Sequence, residues 1–274
     1  MTVWINGTLL ADSDARISVF DHGLTVGDGV FETVKVRGGV AFALTRHLAR
    51  LHGSAVGIGL PEPDLGGLRA GIADLLDAAG RPDRARLRLT VTGGESPLGT
   101  MRGNAGLTAV AALGDWAAAG PWCDVVTVPW PRNERGALAG LKTTSYAENV
   151  LALSYAEERG GGEAVFANTA GNLCEGTGTN VFVVSGGRLL TPPLSSGCLA
   201  GVTRGLVIEW AGAAEEELPA GALGAAQEAF LTSTMRDVQP VRAVDGQPLP
   251  AVGGPVTRRA AEIFAARSAA EPDP

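Results

Sequence analysis

The sequence contains two lysines among its 22 basic residues. The other twenty basic side chains are arginines, which serve as well as lysine at a solvated surface. Arginine cannot replace a lysine whose primary amine must lose its proton and form an imine. Lys142 lies in LAGLKTTSY, among small and apolar residues and without an adjacent carboxylate. Such surroundings disfavour the charged amine, so Lys142 is the candidate for imine chemistry.

The other lysine has an ordinary structural explanation. Lys35 lies in TVKV, one arm of a predicted hairpin that turns at Arg37-Gly38-Gly39 and returns through VAFAL. Lysine at an alternating strand position usually faces solvent. We therefore expect Lys35 to be exposed and assign it no chemistry.

Two further segments could serve an aldehyde cofactor that has a pyridine ring and a phosphate. Glu175 lies in LCEGTGTNVF, whose small residues allow a flat ring to approach the backbone. Gly201, Val202 and Thr203 mark a predicted helix start, where N–H groups and a hydroxyl can bind phosphate. A solvated turn carboxylate and a simple helix cap are the alternatives for these residues. Together with Lys142, they supply the amine, the acid and the anion site that such a cofactor requires.

Hydrophobic periodicity predicts a mixed α+β architecture around these residues. The N-terminal half contains short strands, the hairpin, a helix for which Thr45 is a plausible cap, a helix over 64–79 and two strands. The C-terminal half contains a helix over 144–159, a ladder of strands and a closing helix over 256–269. Runs of strands followed by helices favour α+β over a doubly wound sheet.

Length and composition allow two domains. The chain has 274 residues, of which 45% are hydrophobic, enough for two cores. A region rich in Pro, Trp and Gly is typical of a linker. We predict a small N-terminal domain over 1–115, a linker region over 116–135 and a large C-terminal cofactor-binding domain over 136–274.

Charge and cysteine content favour a protein that binds a small soluble ligand. The net charge is −7 without a block of five like charges, which argues against nucleic acid and anionic membranes as partners. No apolar run reaches the roughly 20 residues that span a bilayer, and Met1 leads into a strand-like segment, so we expect a cytoplasmic protein. Cys123, Cys174 and Cys198 lack the spacing of metal motifs, so we expect reduced structural thiols and no metal site.

Six blocks of the sequence resemble, in order, the signature blocks of the class IV (fold type IV) aminotransferase family. They are VFDHGLTVGDGVFETVKV, HLARL, GLKTTSYAENVL, LCEGTGTNVFVV, LTPPLSSGCLAGVTR and EAFLTSTMRDVQPV. The resemblance covers roughly residues 2–262. It implies a two-domain fold type IV enzyme with a smaller N-terminal α/β domain, a larger β-barrel-like C-terminal domain with flanking helices, and an active site between them. It also implies pyridoxal 5'-phosphate as the cofactor.

The resemblance assigns roles to matching positions. Lys142 would form the Schiff base and shuttle protons, and Glu175 would pair with the pyridine nitrogen. A protonated ring nitrogen makes the ring an electron sink. Leu199 would pack on the ring face, and Asn180 would position Glu175 or the ring.

Other matching positions would bind the phosphate or border the substrate. The phosphate ligands would be Arg50, the amides of Val202 and Thr203, and the hydroxyl of Thr234. The substrate pocket would be bordered by Phe31, Arg88 and Tyr146.

The sequence departs from its relatives at two positions of the substrate pocket. Tyr146 is an approximate match, since relatives have an asparagine and sometimes a tyrosine where this chain has TTSY. Gly93 stands where D-amino-acid aminotransferases of the best-known type have an arginine that binds the substrate carboxylate. Arg88 could replace that arginine if its side chain points inward, and strand alternation places it on one face with Arg86.

The resemblance favours an aminotransferase that moves an amino group between an amino acid, of D or branched-chain type, and a 2-keto acid. The alternative is aminodeoxychorismate lyase, which converts 4-amino-4-deoxychorismate to 4-aminobenzoate and pyruvate. A third possibility, a binding protein that kept the fold, would require an idle Lys142. Relatives are typically homodimers, so we also expect a homodimer.

Overall fold

The computed structural model describes residues 2–274 and divides into two compact units. Unit 1 extends to Ala117 and also contains Leu141–Tyr146 and Glu271–Pro274. Unit 2 contains Ala118–Gly140 and Ala147–Ala270. The segment that carries Lys142 therefore packs with the N-terminal elements, although it follows the predicted linker in the sequence.

Unit 1 is a sheet with helices against one face. Its strands are β1 (Thr2–Ile5), β2 (Thr8–Ala11), β3 (Gly29–Arg37), β4 (Val40–Ala41), β5 (Arg84–Thr92) and β6 (Thr108–Gly114), and its helices are α1 (His22–Thr25), α2 (Leu44–Gly57) and α3 (Leu65–Ala78). The strands form a six-stranded sheet in the order β2-β1-β6-β5-β3-β4. Strands β3 and β5 pair antiparallel from Gly29 opposite Thr92 to Arg37 opposite Arg84.

The core of unit 1 is formed by helix residues at helical spacing and by alternate residues of the strands. In α3, Leu68, Ile72 and Leu75 recur at helical spacing and are buried. They pack in one cluster with alternate residues of β3 and β5, such as Val34 and Leu87. The other face of these strands carries Phe31 and otherwise mainly polar and charged side chains.

The first turns of α2 and α3 are stabilised in different ways, α3 by a local N-cap and α2 by a residue from the C-terminal end of the chain. Asp64 caps α3 locally, because its carboxylate accepts a hydrogen bond from the Gly67 N–H at 3.0 Å. The prediction that Thr45 caps α2 is wrong, since the helix already begins at Leu44. Instead, the N–H and hydroxyl of Thr45 both donate to the Asp273 carboxylate, at 2.8 and 2.6 Å.

Lys35 is buried, contrary to the prediction of an exposed strand lysine. Only 2% of its surface is exposed. Its Nζ lies 4.6 Å from the ring centroid of Trp116, which follows β6 in the chain. The indole covers the alternating position that would otherwise face water, and the contact is a cation–π interaction.

Unit 2 is built on a larger, curled sheet. Its strands are β7 (Cys123–Thr127), β8 (Glu163–Ala167), β9 (Leu173–Gly176), β10 (Asn180–Ser185), β11 (Arg188–Thr191), β12 (Ala214–Glu215), β13 (Glu228–Ser233), β14 (Asp237–Val244) and β15 (Gln247–Pro248), and its helices are α4 (Ala147–Glu157), α5 (Val202–Ala211) and α6 (Pro255–Ala270). The order is β12-β11-β10-β13-β14-β7-β8-β9, with β15 on β14. The chain after β12 bonds back to β9, where the Leu173 N–H donates to the Leu218 carbonyl at 2.8 Å. The two ends of the sheet thus approach each other, as in a barrel.

Helix α4 begins three residues later than the sequence predicts. Thr144 is held in unit 1 by its N–H and its hydroxyl, which donate to the carbonyls of Gly29 and Gly27 at 2.8 and 2.9 Å. Because these bonds tie Thr144 to the residues at the start of β3, the helix starts only at Ala147. The closing helix α6, in contrast, matches its predicted bounds within one residue.

The three cysteines are free and buried. No helix within residues 2–274 is long and apolar enough to cross a membrane. The same residues contain no cluster of His, Cys, Asp and Glu that could hold a metal ion.

Candidate active site

Lys142 lies in an extended segment that pairs with β3 of unit 1. Its carbonyl accepts a hydrogen bond from the Phe31 N–H at 3.1 Å, and its own N–H donates to the Ser54 hydroxyl at 3.1 Å. The residue is half-buried, and its Nζ lies 4.2 Å from the ring centroid of Phe31. The amine is therefore held against an aromatic ring by a backbone fixed to both β3 and α2.

The three predicted substrate residues gather around this lysine. The rings of Phe31 and Tyr146 meet edge to face at 5.2 Å, and the Lys142 Nζ lies 5.7 Å from the Tyr146 ring centroid. The guanidinium of Arg88 stacks on Phe31 at 3.3 Å. The residue as a whole is exposed, but desolvation of this guanidinium lowers the pKa of Arg88 to about 10, against the opposing charges of Tyr146 and Glu32.

Arg50 belongs to a buried charge cluster in unit 1. Its Nε and Nη2 donate to the two carboxylate oxygens of Glu32 at 2.8 and 2.7 Å. The ring Nδ1 of His47 lies 2.6 Å from Glu32 Oε2. Glu32 is 0% exposed, and the Arg50 side chain is 13% exposed. The carboxylate thus fixes the direction of the arginine and the imidazole on α2.

The ionisation of this cluster follows from burial and charge. Burial has the largest effect on the pKa of Glu32 and raises it, but the charge of Arg50 and the bonds from Arg50 and His47 lower it to about 2. Burial lowers the pKa of His47 and outweighs the opposing influence of Glu32. The sequence motifs did not single out Glu32 and His47. His47 precedes Arg50 by three residues in HLARL, the spacing of one helical face, and this signal could have paired them.

In unit 2, Glu175 and Asn180 bind the backbone of the same residue, Leu199. Glu175 Oε2 accepts a hydrogen bond from the Leu199 N–H at 2.8 Å, and Asn180 Nδ2 donates to the Leu199 carbonyl at 2.8 Å. Glu175 is half-buried at the end of β9, and Asn180 is buried at the start of β10. Asn180 and Glu175 are therefore linked through the backbone of Leu199.

Arg132 is a neighbour of Glu175 that the sequence analysis missed. Its Nε lies 3.4 Å from Glu175 Oε1, and its guanidinium stacks on the Phe166 ring at 4.1 Å. No local motif marks this arginine, which precedes Glu175 by 43 positions in the chain. The contact exists because the Arg132 N–H pairs with the Ala167 carbonyl at the end of β8.

The start of α5 has the features of an anion site. Gly201 occupies the N-cap position in extended conformation, and within residues 2–274 no side chain caps the helix. A Cβ on Gly201 would lie 2.0 Å from Asn180 Oδ1, so the close approach requires glycine. Val202 and Thr203, in the first turn, are buried. Thr234 lies in the turn between β13 and β14 and is half-buried.

These donors fit a pyridine ring that carries an aldehyde and a phosphate. Unit 1 contains the amine Lys142 and the guanidinium of Arg50. Unit 2 contains the carboxylate Glu175 and an uncapped helix start, which suits a phosphate. In the described part of unit 2, the buried hydroxyl of Thr232 also lacks a hydrogen-bond partner. The residues present therefore match the amine, acid and phosphate donors that such a group requires.

Comparisons with known proteins identify the family. The model of the amino-transferase class IV family matches residues 29–244. The chain is 32% identical over 270 residues to a Methanocaldococcus jannaschii protein provisionally named a branched-chain-amino-acid aminotransferase, covering 90% of this chain and 89% of that protein. It is 31% identical over 283 residues to D-alanine aminotransferase of Bacillus licheniformis, covering 94% of each.

The crystal structure of branched-chain amino acid aminotransferase from Escherichia coli has the same fold. It superimposes with a TM-score of 0.91 at 28% identity, covering 97% of this chain and 93% of that one. The predicted fold type IV architecture is therefore confirmed. This chain belongs to the class IV aminotransferase family, whose enzymes depend on pyridoxal phosphate.

Proposed function

We propose that the protein transfers an amino group between an amino acid of D or branched-chain type and a 2-keto acid, with Lys142 as the catalytic base. The observation that carries this proposal is the position of the Lys142 amine, half-buried against Phe31 and next to Tyr146. A desolvated amine loses its proton more readily than one in water. The names of the D-alanine and branched-chain relatives support both substrate types.

The cofactor supplies an electron sink, and the chain supplies the groups that bind it and move protons. Lys142 would attach the cofactor and move a proton at the substrate α-carbon. Glu175 would hold a proton on the ring nitrogen, Leu199 would contact the ring, and Asn180 would position the Leu199 backbone. The phosphate would be bound by Arg50, the amides of Val202 and Thr203, and the hydroxyl of Thr234.

Arg88 is the proposed ligand of the substrate carboxylate. A Cβ at Gly93 would lie 2.6 Å from the Asp28 carboxylate, so the chain leaves little room there for the arginine of D-amino-acid relatives. Arg88, in contrast, lies on the same Phe31 ring as the Lys142 amine. A guanidinium binds a carboxylate through two parallel hydrogen bonds.

A homodimer remains part of the proposal. Large apolar side chains are exposed on two segments of unit 1: Ile17, Val19, Phe20, Leu24, Val26, Leu98 and Met101. The segments are adjacent, because the Ser96 N–H donates to the Phe20 carbonyl at 3.1 Å. Such a patch favours association with a second copy. Light scattering should give twice the chain mass, and Val19→Glu should shift it toward the monomer. The predicted cytoplasmic location stays a prediction.

The activity can be tested on purified enzyme with matched variants. Borohydride treatment of the wild type should fix the cofactor on the peptide that contains Lys142, detected by mass. Lys142→Ala should lose at least about a thousandfold in transfer of an amine from a donor to a keto acid. Lys35→Ala serves as the control, because Lys35 is the other lysine of the chain and contacts Trp116.

Two results would contradict the assignment. Comparable turnover by Lys142→Ala would remove its catalytic role. Release of pyruvate from 4-amino-4-deoxychorismate without a keto acid, and no amine transfer, would identify the lyase instead. A screen of donors and acceptors, followed by cofactor absorbance, would then define the substrate.

A further inference from the structure

A positive charge lies beside the carboxylate that is proposed to bind the ring nitrogen. Arg132 Nε and Glu175 Oε1 are 3.4 Å apart, and the two side chains are 14% and 12% exposed. The contact between these two atoms is electrostatic, since Arg132 Nε has no hydrogen-bond partner among residues 2–274. The other oxygen of Glu175 accepts from the Leu199 N–H.

The guanidinium of Arg132 is fixed from several sides. Its Nη1 forms an ion pair with Glu148 and donates to Asn149 Oδ1 at 3.2 Å. Its plane stacks on the buried ring of Phe166 at 4.1 Å. Its backbone N–H donates to the Ala167 carbonyl at 2.7 Å. Arg132 is therefore a fixed charge rather than a mobile surface side chain.

Burial and charge act on Glu175 in opposite directions. A half-buried carboxylate holds a proton more firmly than one in water, and a nearby cation makes it a weaker base. A proton shared between a carboxylate and a ring nitrogen rests on the more basic of the two. We propose that Arg132 is a positioning residue that acts through Glu175 to keep this proton on the ring nitrogen of bound pyridoxal phosphate.

The inference rests on the proposed function, in which Glu175 binds that nitrogen, and it adds a group behind the carboxylate. Outer-shell partners of metal ligands typically change affinity or activity by about 10–100-fold when they are removed, and we expect an effect of similar size from the partner of a cofactor-binding carboxylate. Glu148 is half-exposed, and its carboxylate forms an ion pair with the same guanidinium. Its negative charge therefore opposes the effect of Arg132 on Glu175. Removal of Arg132 and removal of Glu148 should therefore have opposite consequences.

The test measures where the proton resides. The apoprotein is reconstituted with pyridoxal phosphate labelled with ¹⁵N in the ring, and the ¹⁵N chemical shift is followed with pH. In Arg132→Met the ¹⁵N shift near neutral pH should move toward that of the unprotonated ring, because the proton passes to the more basic Glu175, and kcat should fall roughly tenfold. Arg132→Lys should restore most of both, and Glu148→Gln should move the shift further toward that of the protonated ring.

A matched control removes an equivalent arginine elsewhere in unit 2. Arg242 pairs with Asp124 and lies 5.4 Å from the Trp122 ring centroid, so it combines an ion pair with a stacked ring. Arg242→Met should leave the ¹⁵N titration unchanged. A shift as large as that of Arg132→Met would mean that the effect is a general loss of structure and would overturn the inference.

The remaining outcomes separate this inference from the proposed function. If Arg132→Met attaches the cofactor to Lys142 and titrates as the wild type does, the inference is overturned and the proposed function stands. If the wild type itself fails to attach the cofactor to Lys142, the proposed function falls as well. Should Arg132→Met not fold, an unchanged titration in Glu148→Gln overturns the inference.

Discussion

Replacing Glu32 by glutamine tests the energetics of the buried cluster of Glu32, His47 and Arg50. The carboxylate is completely buried, and the charge and hydrogen bonds around it outweigh the effect of burial and hold its pKa at about 2, against an ordinary value of 4.5. At about 1.4 kcal/mol for each pH unit between these values, the carboxylate contributes roughly 3 kcal/mol to folding at neutral pH. Glutamine keeps the shape but removes the counter-ion of Arg50.

The expected loss of stability depends on pH in a defined direction. Because the pKa of Glu32 is lower in the folded chain, the unfolded chain takes up the proton first as the pH falls. The contribution is therefore complete above about pH 4.5 and disappears as the pH falls toward 2. At pH 7, Glu32→Gln should lower the free energy of unfolding by roughly 3 kcal/mol, equivalent to a fall of roughly 6–12 °C in the melting temperature. The difference from the wild type should shrink below pH 4.5.

The measurement is urea unfolding of the apoproteins, followed by tryptophan fluorescence and circular dichroism between pH 7 and pH 3. The control is Glu62→Gln, since Glu62 is 80% exposed and contacts His52 at 3.6 Å. That substitution should change stability by less than about 0.5 kcal/mol. A loss below about 1 kcal/mol in Glu32→Gln, or a difference that stays constant between pH 7 and pH 3, would refute the reasoning.

Three further predictions concern other parts of the structure. Gly201→Ala should raise the dissociation constant of pyridoxal phosphate about tenfold in an absorbance titration, because the new Cβ would displace the Asn180 side chain. Unchanged affinity would argue against the need for close contact between Gly201 and Asn180. Arg102→Gln removes hydrogen bonds of 2.7 and 2.6 Å to the Asp28 carboxylate. The backbone amides of residues 95–106 should then exchange hydrogen roughly tenfold faster, as measured by mass spectrometry. Exchange as slow as in the wild type would contradict this prediction. Burial raises the pKa of all three cysteines, so at pH 8 a thiol reagent should label them at least about tenfold more slowly in the native protein than in urea, and equal rates would contradict their burial.

Local sequence patterns were enough to predict many of the helices and strands. Helix α3 could be predicted because its cap, Asp64, and its apolar face lie within one short segment. The scarcity of lysine singled out Lys142 before any fold was known. The signature blocks predicted the fold type IV architecture and the cofactor, which the family match confirms.

Patterns failed where a partner comes from a distant part of the chain. The first turn of α2 is bonded by Asp273, 228 positions away from Thr45. Lys35 is covered by Trp116, which lies 81 positions later in the chain. A residue's own neighbours in sequence carry no information about such contacts.

The sequence by itself determined which chemical groups are present: one lysine in an apolar segment, a carboxylate among small residues and a glycine before a helix. Only the tertiary structure decided the environment of these groups. It placed Phe31 under the Lys142 amine and Arg132 beside Glu175. The physical reason is that proton affinity depends on burial and on charges within a few ångströms, and strand pairing brings those charges together from remote positions.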